Sequence, residues 1–214
     1  MYDLVMFDLD GTLTDSARGI TNCVKYALES FGIEESNYDT LKKFIGPPLV
    51  ECFMEIYSFS KEDAIKALKK YRERFSDIGI YENDMFDGVE EMLKNIKKSG
   101  KKIALATSKP RIYANRILEY FKISQYFDIS VGPELNEARN TKEAVIEDVL
   151  RLAPDCKNPV MIGDRKHDVL GAIHNNIPFI GVSFGYAEEN ELKENGAEII
   201  LDSIKELEEY ILKN

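Results

Sequence analysis

The chain begins with a short apolar run that ends in two carboxylates one residue apart, Asp8-Leu9-Asp10-Gly11. Leu4, Val5, Met6 and Phe7 read as a strand that is apolar on both faces, the pattern of a strand buried in a parallel sheet covered by helices. In open α/β sheets ligands bind at the carboxyl edge of the strands, which is where this pattern sets Asp8 and Asp10. Two carboxylates so close need a counter-charge, and a hard, oxygen-preferring cation such as Mg²⁺ supplies it. The plain alternative is a polar strand end turning into a loop at Gly11.

A second buried-strand run, Val160, Met161 and Ile162, ends in Gly163-Asp164, and Asp168 follows four residues later. A helix starting just after Asp164 places Asp168 one turn on, facing the same point. Two strands of one sheet then deliver Asp8, Asp10, Asp164 and Asp168 to one edge. Like charges at close range repel strongly in a partly dry site, so such a cluster makes physical sense with a bound cation.

Between these ends the chain falls into two regimes. From Asp87 onward, helical stretches start near Asp87, Pro110, Thr141, Lys166, Glu188 and Ser203. Strand-like runs alternate with them at 103–106, 129–131, 160–162, 179–182 and 199–201. That alternation implies an α/β core with a parallel sheet wrapped by helices. Residues 16–80 hold no buried-strand run. Ile20, Val24, Ala27, Leu28 and Phe31 recur at helical spacing up to Gly32, a second helical stretch carries Leu49, Phe53 and Ile56, and a third starts at Ser60-x-x-Asp63, a capping-box pattern. The expected organisation is a catalytic core of residues 1–15 and 81–214 with an all-helical insert of residues 16–80.

Four short motifs occur in order: Asp8-Leu9-Asp10-Gly11-Thr12, Ala104-Leu105-Ala106-Thr107-Ser108-Lys109-Pro110, Lys142, and Gly163-Asp164-x-x-x-Asp168. Together they resemble the motif set of the haloacid dehalogenase-like hydrolases, nearly end to end. Ile45-Gly46-Pro47-Pro48-Leu49 is similar to the phosphoglycolate phosphatase-like branch, which includes nucleotidase- and pyrophosphatase-like members. The resemblance implies a Rossmann-like core, makes the helical insert a cap domain, and implies Mg²⁺-dependent hydrolysis of a small phosphomonoester through an aspartyl-phosphate. Phosphoglycolate is the first substrate it suggests. A 5′-nucleotidase, a pyrophosphatase, a phosphosugar mutase and a phosphate-ester-binding module without turnover are the alternatives.

On that reading Asp8 is the candidate nucleophile, and Asp10 can protonate the leaving oxygen and later take a proton from water. In the family the backbone carbonyl of the second aspartate also binds the metal, so the expected metal residues are Asp8, Asp10, Asp164 and Asp168. Thr107 ends a strand where its hydroxyl and the following backbone N–H groups can cradle a phosphoryl oxygen. Ser108 is an auxiliary contact or, ahead of Pro110, a helix cap. Lys142 is assigned by motif order alone, since a lysine is ordinarily an exposed surface residue. Glu143 stands where many relatives have proline, and Arg139 competes for the role.

Arg165, Lys166 and His167 follow the metal-site aspartate. They read as a solvated helix start, with a substrate or metal-site contact for Arg165 as the sharper alternative. Gly46 before Pro47-Pro48 makes a stiff bend that can approach a substrate closely. Arg18, Lys42 and Lys43 are candidates for an anionic leaving group, against the ordinary reading of solvent-facing side chains.

Composition narrows the function classes. A formal charge of -10 disfavours nucleic acid or an anionic membrane as the main partner. It leaves room for a small phosphorylated metabolite, because bound metal and a few lysines reverse the sign locally. Cys23, Cys52 and Cys156 are odd in number and in no ligand pattern, as expected of reduced packing residues in a cytoplasmic protein. No apolar run is long enough to span a bilayer, and a monomer or small homo-oligomer is expected.

Overall fold

A computed structural model describes residues 1–135, 139 and 141–214. The chain divides into two compact units, Met1–Thr14 with Met85–Asn214, and Asp15–Asp84.

The larger unit is built on a six-stranded sheet. Its strands are β1 (Leu4–Phe7), β4 (Lys102–Ala106), β5 (Ile129–Val131), β6 (Pro159–Gly163), β7 (Phe179–Val182) and β8 (Ile200–Leu201). They run in the order β5-β4-β1-β6-β7-β8 and every pairing is parallel. The helices α5 (Val89–Lys98), α6 (Arg111–Tyr120), α7 (Lys142–Leu152), α8 (Lys166–His174), α9 (Glu191–Glu194) and α10 (Ile204–Lys213) fall between and after these strands. This is the Rossmann-like α/β architecture expected of the alternation.

The reason β1 sits in the middle is legible in its residues. Leu4, Val5, Met6 and Phe7 are all fully buried, which requires cover on both faces and pairing on both edges. On one face Leu4 and Met6 join Ala104, Ala106 and Met161, and pack under Val145, Ile146 and Val149 of α7. The register places Phe7 opposite both Leu105 and Ile162, so β1, β4 and β6 end at one level. Chain order departs in opposite directions from β1, to β4 on one side and β6 on the other. That is a topological switch point, and a crevice opens there beyond the strand ends.

The smaller unit is helical: α1 (Ala17–Glu29), α2 (Tyr38–Lys42), α3 (Leu49–Tyr57) and α4 (Lys61–Phe75). Ser60 caps α4 by accepting from the Asp63 N–H, as its sequence pattern suggests. Its core includes Phe31, Phe44, Phe53, Tyr57 and Phe59 in mutual ring contact. Arg74 pairs with Glu82 at 2.7 Å, and Asn22 donates to the same carboxylate. The chain crosses between the units at β2 (Thr14–Asp15) and β3 (Asp84–Met85), which pair as a two-stranded ribbon.

Several details differ from the sequence reading, among them the unit boundaries, which fall at 14/15 and 84/85 and not at 15/16 and 80/81. The five-residue α2 escapes it, because one turn capped by Asn37 is too short to display a period. The helix expected near Glu188 starts at Glu191 instead, after Asn190 in a left-handed conformation. Among the described residues no helix is long and apolar enough to cross a membrane. None of the three cysteines forms a disulfide among the described residues, and Cys23 and Cys52 are buried.

Candidate active site

The crevice at the ends of β1, β4 and β6 collects buried charge. Asp8 follows β1 directly and its N–H donates to the Ile162 carbonyl at 2.9 Å, which extends the β1–β6 ladder by one residue. Asp164 follows β6, and Asp168 lies in the first turn of α8. Carboxylate oxygens of Asp8, Asp164 and Asp168 all lie within 4.8 Å of one another, and all three residues are buried. Between Asp164 and Asp168, the Arg165 N–H donates to Asp168 Oδ2 at 3.0 Å, which sets the pitch of that turn.

Lys142 offsets part of this charge. It opens α7, yet its side chain is only 3% exposed. The ammonium lies 2.7 Å from Asp8 and 2.7 Å from Asp168, and also donates to the Ala106 carbonyl at 2.9 Å. Gly171 on α8 makes this approach possible, since a Cβ there would press on the Lys142 side chain and backbone. Arg139, the competitor for the same role, instead pairs in the open with Glu147 and Asp148.

The electrostatics follow from burial. Burial pushes the Asp164 carboxyl well above the usual carboxylate range, and the neighbouring Asp168 and Asp8 charges push it further. Asp168 is raised as well, chiefly by burial, with the Lys142 ammonium pulling the other way. For Lys142 burial favours the neutral amine, but Asp168 and Asp8 outweigh it and hold the ammonium charged. Three buried carboxylates against one ammonium leave an anionic, all-oxygen donor set. That is the chemistry a hard divalent cation completes, so the residues fit a metal such as Mg²⁺.

Asp164 is fixed from three sides. Thr12 Oγ1 donates to its Oδ1 at 3.2 Å, and the Tyr186 N–H donates to its Oδ2 at 2.7 Å. Gly11, at φ +84°, and Gly185 both press on it so closely that a Cβ at either position would collide with the carboxylate. The Asp-x-Asp-Gly-Thr run therefore supplies more than its two aspartates. Its glycine leaves room for Asp164, and its threonine holds it.

Asp10 stands apart from the triad. Its Oδ2 pairs with Lys109 Nζ at 2.7 Å, both side chains being under one-tenth exposed, while its buried Oδ1 has no hydrogen-bond partner among the described residues. Lys109 is the residue the sequence reading passed over, as part of a motif with no role of its own. Thr107, 1% exposed, accepts from the Lys109 N–H at 3.2 Å and so holds the start of that loop. The cap of α6 is Pro110, not Ser108, which leaves the Ser108 hydroxyl outside the helix.

The remaining expectations divide. Arg165 is not a solvated helix start: it is buried and its Nε lies 2.9 Å from Glu191. His167 is half-buried, and its pKa is lowered by burial first and then by Arg165, Lys166 and Lys142. Gly46, Arg18, Lys42 and Lys43 belong to the smaller unit. There Gly46 adopts φ +101°, and Lys42 pairs loosely with Asp39 while lying over the Tyr38 ring. Arg18 and Lys43 are exposed.

The chain is similar along most of its length to several known proteins. The family model described as haloacid dehalogenase-like hydrolase matches residues 5–182. A 5′-nucleotidase of Pseudomonas aeruginosa is 43% identical over 196 residues, covering 90% of this chain and 87% of that protein. Tyrosine-protein kinase PtkA of Mycobacterium tuberculosis is 37% identical over 212 residues, covering 97% and 72%. Phosphoglycolate phosphatase 1 of Pseudomonas aeruginosa is 26% identical, covering 95% and 78%. Among solved structures, that of a predicted phosphatase from Clostridium acetobutylicum superposes with a TM-score of 0.95 at 45% identity over the whole of both chains.

Proposed function

The chain belongs to the haloacid dehalogenase-like hydrolases and is a phosphatase of that family, and we propose that it hydrolyses a small phosphomonoester with Mg²⁺ through an aspartyl-phosphate on Asp8. The observation that carries this reading is the buried Asp8 carboxylate, held by the Lys142 ammonium at 2.7 Å beside Asp164 and Asp168.

Each residue has a chemical task in that sequence. An Asp8 oxygen attacks phosphorus as the bond from phosphorus to the leaving oxygen breaks, and Asp10 gives that oxygen a proton. Water then attacks the phosphorus of the aspartyl-phosphate, Asp10 takes its proton back, and phosphate leaves with Asp8 restored. Lys142 orients Asp8 and offsets negative charge on the transferring group. Thr107 offers its hydroxyl to a phosphoryl oxygen, with Ser108 as auxiliary. Lys109 fixes the Asp10 carboxylate. Asp8, Asp164, Asp168 and the Asp10 carbonyl would hold the metal, which when bound offsets repulsion between the carboxylate nucleophile and the phosphate. The helical unit of residues 15–84 would act as a cap that admits substrate and excludes bulk water, with Gly46, Arg18, Lys42 and Lys43 as its candidate contacts.

The substrate class follows the stronger likeness. The relative named 5′-nucleotidase is 43% identical and the one named phosphoglycolate phosphatase 26%, so a nucleoside 5′-monophosphate comes ahead of phosphoglycolate. The test is phosphate release from nucleoside monophosphates, phosphoglycolate, sugar phosphates and pyrophosphate, with Mg²⁺ and with chelator. The expected result is metal-dependent release with one preferred ester, abolished by Asp8→Asn. Turnover retained by Asp8→Asn would overturn the mechanism. Phosphate moved from ATP to a tyrosine, with no free-phosphate product, would overturn the hydrolase reading in favour of the chemistry named for PtkA.

A further inference from the structure

Beside the acidic triad the larger unit buries one more carboxylate against one more cation. Glu191 and Arg165 face each other with side chains 8% and 11% exposed. Glu191 Oε1 accepts from Arg165 Nε at 2.9 Å and from the Lys166 N–H at 2.8 Å, and its Oε2 accepts from the Glu188 N–H at 3.1 Å. One carboxylate therefore joins two segments distant in sequence: the first turn of α8 and the loop that leaves β7.

Both segments end on the acidic triad. On the helix side, the Arg165 N–H donates to Asp168 Oδ2. On the loop side, the Tyr186 N–H donates to Asp164 Oδ2, and Gly185 packs directly on that carboxylate. The result is a continuous path from one carboxylate to the other: Asp164 to the 185–188 backbone, to Glu191, to Arg165, and on to Asp168. If Glu191 is removed, the Arg165 Nε–H and the Lys166 and Glu188 N–H groups lose this acceptor.

We propose that Glu191 and Arg165 are positioning residues for the cation-binding carboxylates, a strut that sets where Asp164 and Asp168 stand. The inference rests on the reading that these two aspartates hold a divalent cation. A buried ion pair contributes little net stability over an apolar pair of the same volume, so stability alone does not account for it. An apolar pair could fill the space, but it would leave the N–H groups of Glu188 and Lys166 without an acceptor. Outer partners of metal ligands typically alter affinity by about 10–100-fold when lost.

The measurement is Mn²⁺ affinity by electron paramagnetic resonance on the full chain, for wild type, Asp164→Asn, Glu191→Gln and Arg165→Met, each checked for folding by circular dichroism. Glu191→Gln keeps the volume and one acceptor, so it decides the matter if Arg165→Met does not fold. Expected is loss of binding in Asp164→Asn and a Kd raised about 10–100-fold in Glu191→Gln and Arg165→Met. If Asp164→Asn loses binding while both strut variants stay within about twofold of wild type, the strut is overturned and the cation site stands. Lower thermal stability with unchanged Mn²⁺ affinity overturns it equally. If wild type binds no Mn²⁺, or Asp164→Asn binds like wild type, the cation reading fails and the strut fails with it.

Discussion

Asp164→Asn is expected to stabilise the metal-free protein while abolishing its response to Mg²⁺. The oxygens of Asp8, Asp164 and Asp168 lie within 4.8 Å of one another, and at an effective dielectric of about 20 two unit charges so placed repel by about 3.5 kcal/mol. Lys142 offsets part of this through Asp8 and Asp168, leaving Asp164 the least compensated. Protonation caps the penalty. Protonating a carboxyl of ordinary pKa 3.8 costs about 4 kcal/mol at pH 7 and under about 2 kcal/mol at pH 5.

The sign follows from linkage. The folded-state pKa of Asp164 is raised, by burial first and then by Asp168 and Asp8, so at this group the folded protein binds more proton than the unfolded chain above about pH 4. The Asp164 contribution to the stability of the metal-free protein therefore falls as pH rises through that window. Asparagine removes the charge and keeps an oxygen for the Tyr186 N–H, and its amide can donate to the Thr12 hydroxyl. The expected gain in chelator is at most about 4 kcal/mol at pH 7 and at most about 2 kcal/mol at pH 5. For a chain of this length the pH 7 ceiling corresponds to a rise in Tm of roughly 8–16 °C. Thermal unfolding at the two pH values, with chelator and with Mg²⁺, reads it directly. A variant less stable than wild type in chelator at pH 7, or a gain that grows as pH falls, would refute the reasoning.

Lys142→Met leaves two carboxylates buried without their ammonium and should cost the metal-free protein about 3–5 kcal/mol, read by denaturant unfolding, with Mg²⁺ restoring part of it. Lys109→Met should lower kcat about 10²–10⁴-fold by freeing the Asp10 carboxylate, with the fold intact by circular dichroism; wild-type kcat would remove Lys109 from the mechanism. Gly185→Ala forces a methyl into Asp164 and should cost about 1–3 kcal/mol in thermal unfolding while raising the Mg²⁺ concentration needed for half-maximal turnover. Thr107→Ser should keep turnover and Thr107→Val should lower it, because only the hydroxyl can reach a phosphoryl oxygen; equal rates for the two would refute that role.

Much of this protein is written in short stretches of its sequence. The fully apolar Leu4–Phe7 run dictates a central parallel strand, because four consecutive buried side chains need cover on both faces. A strand that stops at Asp8 and another that stops before Asp164 must present those carboxylates at the sheet's carboxyl edge, whatever the rest of the chain does. The caps at Ser60 and Ser203 act over three residues and are equally visible.

The partners of those carboxylates are another matter. Lys142 reaches Asp8 across 134 residues, Thr12 reaches Asp164 across 152, and Glu191 reaches Arg165 across 26. Arg165 reads locally as a solvated basic run and is buried; Lys109 reads as an appendage of its motif and holds Asp10. Gly185 and Tyr186 carry no pattern at all, because what they contribute is backbone. Period and spacing determine which residues share a strand end or a helix face. Which side chain from a distant element arrives there, and whether its charge is paired or left to a cation, is decided only when the sheet order brings β1, β4, β6 and β7 together.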